Sequence, residues 1–204
     1  MILLHFVETT HSTNVLLNEI VDARKAKRVL LPDFYCVATN FQTAGKGQAN
    51  KLWLSNKGEN ILASFYFQPK IQPNQQKFFN YFFSLTIRKV LSFFVKNVWI
   101  KPPNDIYVGN EKIAGILIEH HIKGDKLNYS IAGVGININQ TQFDHSLPNP
   151  TSLNLLTGKT FNREEILEKI VTHGQEYYNN LQTGAFNELE IEYHKYVRIE
   201  KKLD

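Results

Sequence analysis

The sequence predicts an α+β fold, in which helices pack on a mixed sheet that is largely antiparallel. Two long strand candidates, at 112–122 and 127–138, are joined by the short turn Lys123-Gly124-Asp125, which favours antiparallel pairing over a βαβ series. Helical patterns are grouped between the strand segments. The chain has 204 residues, 43% of them hydrophobic and 12% aromatic, which is enough to bury a full core.

The first third of the chain is predicted to begin with a strand at 5–10 and a helix capped by Ser12. Strands rich in aromatic and β-branched residues follow at 34–38 and 61–67, separated by a polar, glycine-containing loop at 40–55. The apolar residues that share one face of the first helix are Val15, Leu16, Ile20 and Val21.

A phenylalanine-rich stretch at 78–95 is apolar enough to be compared with a membrane span. Arg88 and Lys89 would lie in the middle of the bilayer, at a cost of roughly 2.5–3.5 kcal/mol each. We therefore predict a buried helix from about 76 to 96 and no membrane partner.

The second half of the chain adds short strands and two helices. Two prolines separate strands at 98–101 and 106–108, and Gly109-Asn110 is a good hairpin turn. After an irregular loop at 141–150, the helices are predicted to run from the cap Asn162 to about Leu181 and from Phe186 to about Tyr196.

Charge and cysteine content bear on compartment and partners. The chain carries 23 basic and 19 acidic residues, and we interpret its basic run at 24–28 as a solvated helix end and not as a nucleic-acid patch. The single cysteine, Cys36, excludes an internal disulfide. The N-terminal residues lack the pattern of a signal peptide. We expect a cytoplasmic protein.

The loop from Gln42 to Gln48, which is followed by Trp53, contains a lysine between two glycines. Glycines let backbone N–H groups approach an anion closely, so a phosphate or a carboxylate could bind there. An ordinary flexible loop is the alternative. The spacing of a Walker A loop is absent.

The segment 101–105, KPPND, places a cation, an amide and a carboxylate at a strand break. These groups suit a nucleotide phosphate and its Mg²⁺, with an Asx turn after the prolines as the alternative. Lys112 opens an apolar strand, where it either reaches a site at the sheet edge or simply extends into solvent. Gly133 and Gly135 interrupt another strand, which a planar ligand against the backbone, a bulge or close strand packing would explain.

The order of these segments resembles the biotin–protein ligase family. Ser12-Thr13-Asn14, the loop 42–48 with Trp53, KPPND, KIAGILIE (112–119) and GVGININ (133–139) follow the family pattern over roughly residues 5 to 140. Lys46 and Gln48 stand where the family usually carries arginines, and Pro102 stands where it carries tryptophan. The resemblance implies the catalytic fold shared by these ligases and class II aminoacyl-tRNA synthetases.

The resemblance also implies a role for each matching residue. Lys112 and Lys46 would be catalytic, by neutralising a carboxylate and a phosphate as they meet. The biotin-binding residues that it implies are Ser12, Thr13, Asn14, Gln42, Lys46, Gly47, Gln48, Lys112 and Gly115. The residues that it implies for ATP or the adenylate are Trp53, Lys101, Asn104, Asp105 and Asn137, and Asp105 would also bind Mg²⁺.

The activity so implied is ATP-dependent formation of biotinyl-AMP and transfer of biotin to a lysine of a biotin carboxyl carrier domain. Homodimers through the sheet edge are common in the family. We expect residues 1–204 to form one catalytic domain, with neither an N-terminal DNA-binding domain nor a C-terminal β-barrel, and no DNA partner. A lipoate or octanoate ligase of the same superfamily and a non-catalytic binding protein are the alternatives.

Overall fold

The computed structural model describes residues 2–48 and 51–198. The strands are β1 (Leu4–Thr10), β2 (Tyr35–Gln42), β3 (Ile61–Phe67), β4 (Val98–Lys101), β5 (Asp105–Val108), β6 (Glu111–Lys123) and β7 (Lys126–Ile136). The helices are α1 (Thr13–Ala26), α2 (Gln76–Leu91), α3 (Leu153–Thr157), α4 (Arg163–Thr183) and α5 (Phe186–Tyr196).

The strands form one sheet in the order β1-β2-β3-β7-β6-β5-β4. Among these strands only β1 and β2 pair in parallel, and α1 connects them; every other neighbouring pair is antiparallel. The prediction of a mixed, largely antiparallel sheet is confirmed. The hairpins β4-β5, β5-β6 and β6-β7 build the half of the sheet that ends at β4, and β7 pairs with β3 in the middle of the sheet.

Helices cover the two faces of the sheet unequally. Helix α1 packs on one face against a small cluster that includes Val37, Tyr66 and Ile131. Helices α2, α4 and α5 contribute to the large core on the opposite face. Because strand residues alternate between faces, Gly133 and Gly135 lie on the α1 face together with Ile131.

The large core contains a cluster of packed aromatic rings. Phe67 of β3 lies fully buried, with edge-on or tilted contacts to five aromatic rings at centroid distances of 4.8–6.1 Å. Such contacts add to the burial of apolar area. The phenylalanine-rich stretch is therefore a core helix, as predicted, and the described residues contain no helix long and apolar enough to cross a membrane.

The structure corrects several details. The most buried apolar residue of α1 is Leu17, which the predicted apolar face omitted, and Ser12 is at the N-cap but makes no side-chain capping bond. Strand β2 begins one residue later than predicted and continues to Gln42, because its polar end pairs with β1. Helix α2 ends at Leu91, five residues before the predicted end at 96, and α3 was not predicted.

Candidate functional site

A cavity of about 510 Å³ opens on the α1 face of the sheet. Its wall is formed by the start of α1, the loop between β2 and β3, strands β5 to β7 and the loop after β7. Every residue to which the sequence assigned a role lines this one cavity: Ser12, Thr13, Asn14, Gln42, Lys46, Gly47, Gln48, Trp53, Lys101, Asn104, Asp105, Lys112, Gly115 and Asn137. The structure thus brings the whole set together, and the role of each residue stays a prediction.

The floor of the cavity is made by Trp53 lying on strand glycines. A Cβ atom added to Gly135 would lie 2.3 Å from Trp53 Cε2, and one added to Gly115 would lie 2.8 Å from Trp53 Cζ3. In the same way, a Cβ atom on Gly133 would lie 2.3 Å from Asn14 Oδ1. Of the explanations left open for Gly133 and Gly135, close packing is therefore the one that the structure supports, because the groups that need the space are side chains of the protein itself.

The glycine-flanked loop folds back on itself to carry Trp53 to this floor. Lys46 pairs with Leu52 in an isolated antiparallel bridge, and the backbone N–H of Trp53 donates to the Gly45 carbonyl at 2.9 Å. A Cβ atom on Gly45 would lie 2.8 Å from the Trp53 carbonyl oxygen, so this tight pairing requires glycine. Backbone pairing accounts for Gly45 without a bound anion.

One end of the cavity is neutral and rich in hydrogen-bonding groups. The Thr13 N–H donates to Gln42 Oε1 at 2.7 Å, and the Thr13 hydroxyl lies 3.1 Å from the same oxygen. Behind them, the fully buried Ser64 hydroxyl lies 2.7 Å from Thr13 Oγ1 and 2.5 Å from Asn14 Oδ1. Thr13 and Asn14 are themselves almost completely buried. This end is a connected polar network held inside the protein, which fixes the positions of its groups.

The other end of the cavity is cationic. Lys112 Nζ lies 2.7 Å from Asp105 Oδ1 and 5.7 Å from the centroid of the Trp53 ring, so two neighbours hold its ammonium group in place. Lys101 Nζ lies 5.0 Å from the centroid of the Tyr107 ring. The lining residues in the described part of the chain include four lysines, at 46, 51, 101 and 112, and a single acidic residue, Asp105. The net charge of this wall favours a polyanionic ligand.

Two asparagines of the predicted set hold the wall together. Asn104 Nδ2 donates to the Ile116 carbonyl at 2.5 Å, while the Ile116 N–H donates to the Asn104 carbonyl at 2.9 Å. Asn137 Nδ2 donates to the Thr151 carbonyl at 2.9 Å. Within residues 2–48 and 51–198, Asn137 Oδ1 and Trp53 Nε1 are buried without a hydrogen-bond partner. Such orphaned groups in a cavity wall are candidates for ligand contacts.

Sequence reasoning missed one wall of the cavity entirely. The loop that was predicted only as irregular chain contributes the apolar residues Phe143, Leu147, Pro148 and Pro150. Backbone hydrogen bonds hold its end beside β6, since the Lys112 N–H donates to the Asn149 carbonyl at 2.8 Å and the Thr151 N–H donates to the Lys112 carbonyl at 2.9 Å. Backbone pairing of this kind has no signal in side-chain pattern.

Comparison with known proteins identifies the family of the chain. The biotin/lipoate A/B protein ligase family matches residues 7–137. The bifunctional ligase/repressor BirA of Bacillus spizizenii is 27% identical over 169 residues, which are 81% of this chain and 52% of that protein. Biotin–protein ligase 1 of Arabidopsis thaliana, a chloroplastic protein, is 29% identical over 177 residues, 78% of this chain and 44% of that one. The chain thus spans about half the length of these curated relatives.

Solved structures show the same fold. Biotin protein ligase from Aquifex aeolicus in complex with biotin and ATP superimposes with a TM-score of 0.77 at 23% identity, over 95% of this chain and 78% of that one. The Leishmania major enzyme in complex with biotinyl-5-AMP gives a TM-score of 0.74 at 21% identity, over 98% and 85% of the two chains. The fold implied by the sequence resemblance is confirmed, and the chain belongs to the biotin/lipoate A/B protein ligase family.

Proposed function

We propose that the protein is an ATP-dependent biotin–protein ligase, which forms biotinyl-5'-AMP and transfers biotin to a lysine of a biotin carboxyl carrier domain. The observation that carries this proposal is that one cavity joins a neutral hydrogen-bonding end to a cationic end. Biotin has the same two-part chemistry, because its ureido ring is neutral and its carboxylate is charged. The relatives named as biotin ligases support the proposal.

The first step joins two anions. A biotin carboxylate oxygen attacks the α-phosphorus of ATP, a new P–O bond forms, and the bond to pyrophosphate breaks. Fixed cations lower the barrier where negative charge accumulates. Lys112 is suited to this position because Asp105 and Trp53 already hold its ammonium group at the cavity wall. Lys46 and Lys101 add positive charge to the same wall.

The second step transfers the acyl group. The amine of the carrier lysine attacks the acyl carbon of the mixed anhydride, the C–O bond to AMP breaks, and the amine loses its proton. Water would destroy the anhydride before this attack, so the site must exclude water. Trp53 on its glycine floor and the apolar loop with Phe143 and Leu147 are suited to excluding it.

A Mg²⁺ ion would accompany ATP. Among the described residues that line the cavity, Asp105 is the one acidic residue. Residues 2–48 and 51–198 contain no cluster of three or more His, Cys, Asp or Glu side chains that could hold a metal ion by themselves. Mg²⁺ commonly binds through one or two carboxylates, with substrate phosphates and waters completing its shell. The residues fit that arrangement, in which Asp105 would hold the ion and the ion would neutralise phosphate charge.

The sister reaction, octanoyl transfer through a cysteine, is disfavoured by the position of Cys36. This cysteine is fully buried, it lies in the large core and not in the cavity, and burial raises the pKa of its thiol. A thiol must ionise to act as a nucleophile. Ligation of lipoate or octanoate through an adenylate is the other alternative, and the following experiment distinguishes it from ligation of biotin.

Pyrophosphate release from ATP and Mg²⁺ tests the proposal, with biotin, lipoate or octanoate supplied in turn to the purified protein. We expect release with biotin alone. An added carrier domain should then gain the mass of one biotinyl group on its acceptor lysine. Release with lipoate or octanoate and not with biotin would move the assignment to a sister ligase, and binding of biotin without release would favour a non-catalytic binding protein.

A further inference from the structure

We propose that Glu119 is a positioning residue, which orients the neutral end of the cavity and thereby sets its preference for a ligand ring that both donates and accepts hydrogen bonds. This inference rests on the proposed function. Glu119 lies on β6 and is absent from the cavity wall, so it acts through another side chain. That side chain is Asn14, whose Nδ2 donates to Glu119 Oε2 at 2.7 Å.

The carboxylate decides which way the Asn14 amide points. An ionised carboxylate can only accept hydrogen bonds, so the NH₂ group of Asn14 must face Glu119 and the carbonyl must face the other way. That carbonyl, Oδ1, lies 2.5 Å from the Ser64 hydroxyl. Without Glu119, the nearest remaining partner of Nδ2 is the Leu117 carbonyl at 3.4 Å, and the preference between the two amide orientations is largely lost.

The orientation of Asn14 passes to Thr13 through Ser64. The Ser64 hydroxyl has one proton and two neighbours, Asn14 Oδ1 at 2.5 Å and Thr13 Oγ1 at 2.7 Å. With the Asn14 carbonyl facing it, Ser64 donates to Asn14, so the Thr13 hydroxyl supplies the proton of the 2.7 Å contact with Ser64. The lone pairs of Thr13 Oγ1 then stay available as acceptors, while the Thr13 N–H still donates to Gln42 Oε1. A reversed Asn14 amide would donate to Ser64, whose proton would then occupy Thr13 Oγ1.

Gln42 supplies the complementary donor. Because the Thr13 N–H can only donate, Gln42 turns its oxygen towards Thr13, at 2.7 Å, and its NH₂ group points away. The neutral end of the cavity therefore offers a donor on Gln42 and an acceptor on Thr13. A ureido ring, with one carbonyl and two N–H groups, matches this pair. An alkyl chain matches neither, and leaves both polar groups without a partner.

The position of Asn14 is fixed as firmly as its orientation. Its amide lies so close to Gly133 that an added Cβ atom would lie 2.3 Å from Oδ1. Asn18 Nδ2 donates to the Asn14 backbone carbonyl at 3.2 Å, and Asn18 Oδ1 accepts from the Tyr129 hydroxyl at 3.1 Å. The side chain thus has no room to move aside when Glu119 is changed, and reversal of the amide is the change that we expect.

Three proteins test the inference: the Glu119→Ala variant, the Glu119→Gln variant and a matched control. The control, Glu8→Ala, removes an exposed strand glutamate that accepts from the Asn40 amide at 3.0 Å and is not part of the cavity wall. Biotin-dependent pyrophosphate release gives KM and kcat, and a titration with biotin alone gives its Kd. We expect Glu119→Ala to raise both KM and Kd for biotin by about tenfold, the effect of losing one buried polar partner.

Two further readouts separate positioning from folding. The kcat and the KM for ATP should change by less than about threefold, because the lost interaction concerns binding of biotin and not the reacting atoms. Glu119→Gln should recover most of the biotin affinity, since its Oε1 can still accept from Asn14. Unchanged biotin affinity in Glu119→Ala would overturn this inference but not the proposed function. The same holds if Glu119→Ala loses affinity for ATP and for biotin equally and its Tm is lower. No biotin-dependent release and no biotin binding in the unaltered protein would overturn the proposed function, and the inference with it.

Discussion

The two faces of the sheet are built by different rules. On the face covered by α2, α4 and α5, the strands present large apolar residues such as Phe65 and Phe67, which have no polar atoms to satisfy. On the face covered by α1, the same strands present Ser64, Gly133 and Gly135, which are polar or small. Large apolar side chains on the first face therefore stabilise the fold, whereas the small residues on the second face leave room for Trp53 and Asn14. Substitutions on the first face should change stability, and substitutions on the second should change activity.

The largest expected effect comes from the core face. Phe67→Ala removes a fully buried ring that contacts five other aromatic rings. We expect a loss of about 3–5 kcal/mol in the free energy of unfolding, measured by urea titration. The control Phe93→Ala removes a ring that is 54% exposed and should cost far less. If folded Phe67→Ala protein also loses biotin affinity, in proportion to its loss of stability, then the two faces do not act separately on stability and activity.

Lys112→Ala should give the largest effect on the cavity face. Its ammonium group is held at the cationic end by Asp105, and removing one fixed charge of this kind lowers kcat by about 100- to 1000-fold. The rate of biotin-dependent pyrophosphate release measures the loss. Lys123→Ala, at the exposed far end of the same strand, should retain the full rate. A rate in Lys112→Ala that matches this control would exclude a catalytic role for Lys112.

Gly135→Ala adds side-chain volume on the cavity face, so it should change stability although it lies on the face that positions the site. The new methyl group would lie 2.3 Å from Trp53 Cε2, so the indole or the strand must shift. Overpacking of this kind costs about 1–3 kcal/mol in the free energy of unfolding. The same substitution in a Trp53→Ala background should cost less than about 1 kcal/mol, since the contact is gone. Additive costs in this double-mutant cycle would show that Trp53 is not what the glycine accommodates.

The core face was the easier one to predict from the sequence. Content of aromatic and β-branched residues predicted β3 with its correct ends, and two charged residues within the phenylalanine-rich stretch indicated a core helix and not a membrane span. Prediction was poorer where tertiary pairing decides. The polar end of β2 became strand because β1 lies beside it, and Leu17 replaced Val15 and Leu16 in the buried face of α1. Neither choice is encoded in local pattern.

The cavity face was predicted from residues that are unusual in a buried strand. Glycines within a strand and a lysine at the start of an apolar strand pointed to the residues that line the cavity, and the family resemblance supplied roles for them. What the glycines accommodate could not be predicted, because Trp53 and Asn14 reach them from distant parts of the chain. The same holds for Glu119, whose contact with Asn14 spans 105 residues, and for the Phe143 wall.

The smallest expected effect concerns two adjacent histidines of β6 that face opposite sides. His121 stacks on Tyr129 on the α1 face, whereas His120 lies on the core face, 5.4 Å from the Phe79 ring and 2.8 Å from the Ser130 hydroxyl. Burial, and to a lesser extent the charge of His121, lowers the pKa of His120 to about 4.

Because the unfolded chain binds this proton near the ordinary pKa of about 6.5, acidification from there towards 4 favours unfolding. The half-buried ring should contribute roughly 1 kcal/mol to the loss of stability between pH 7.5 and pH 5. Urea titrations at the two pH values measure this loss, which His120→Gln should reduce and His5→Gln, at an exposed position of β1, should leave unchanged. An equal loss in the unaltered protein and in His120→Gln would mean that the core face does not hold this imidazole neutral.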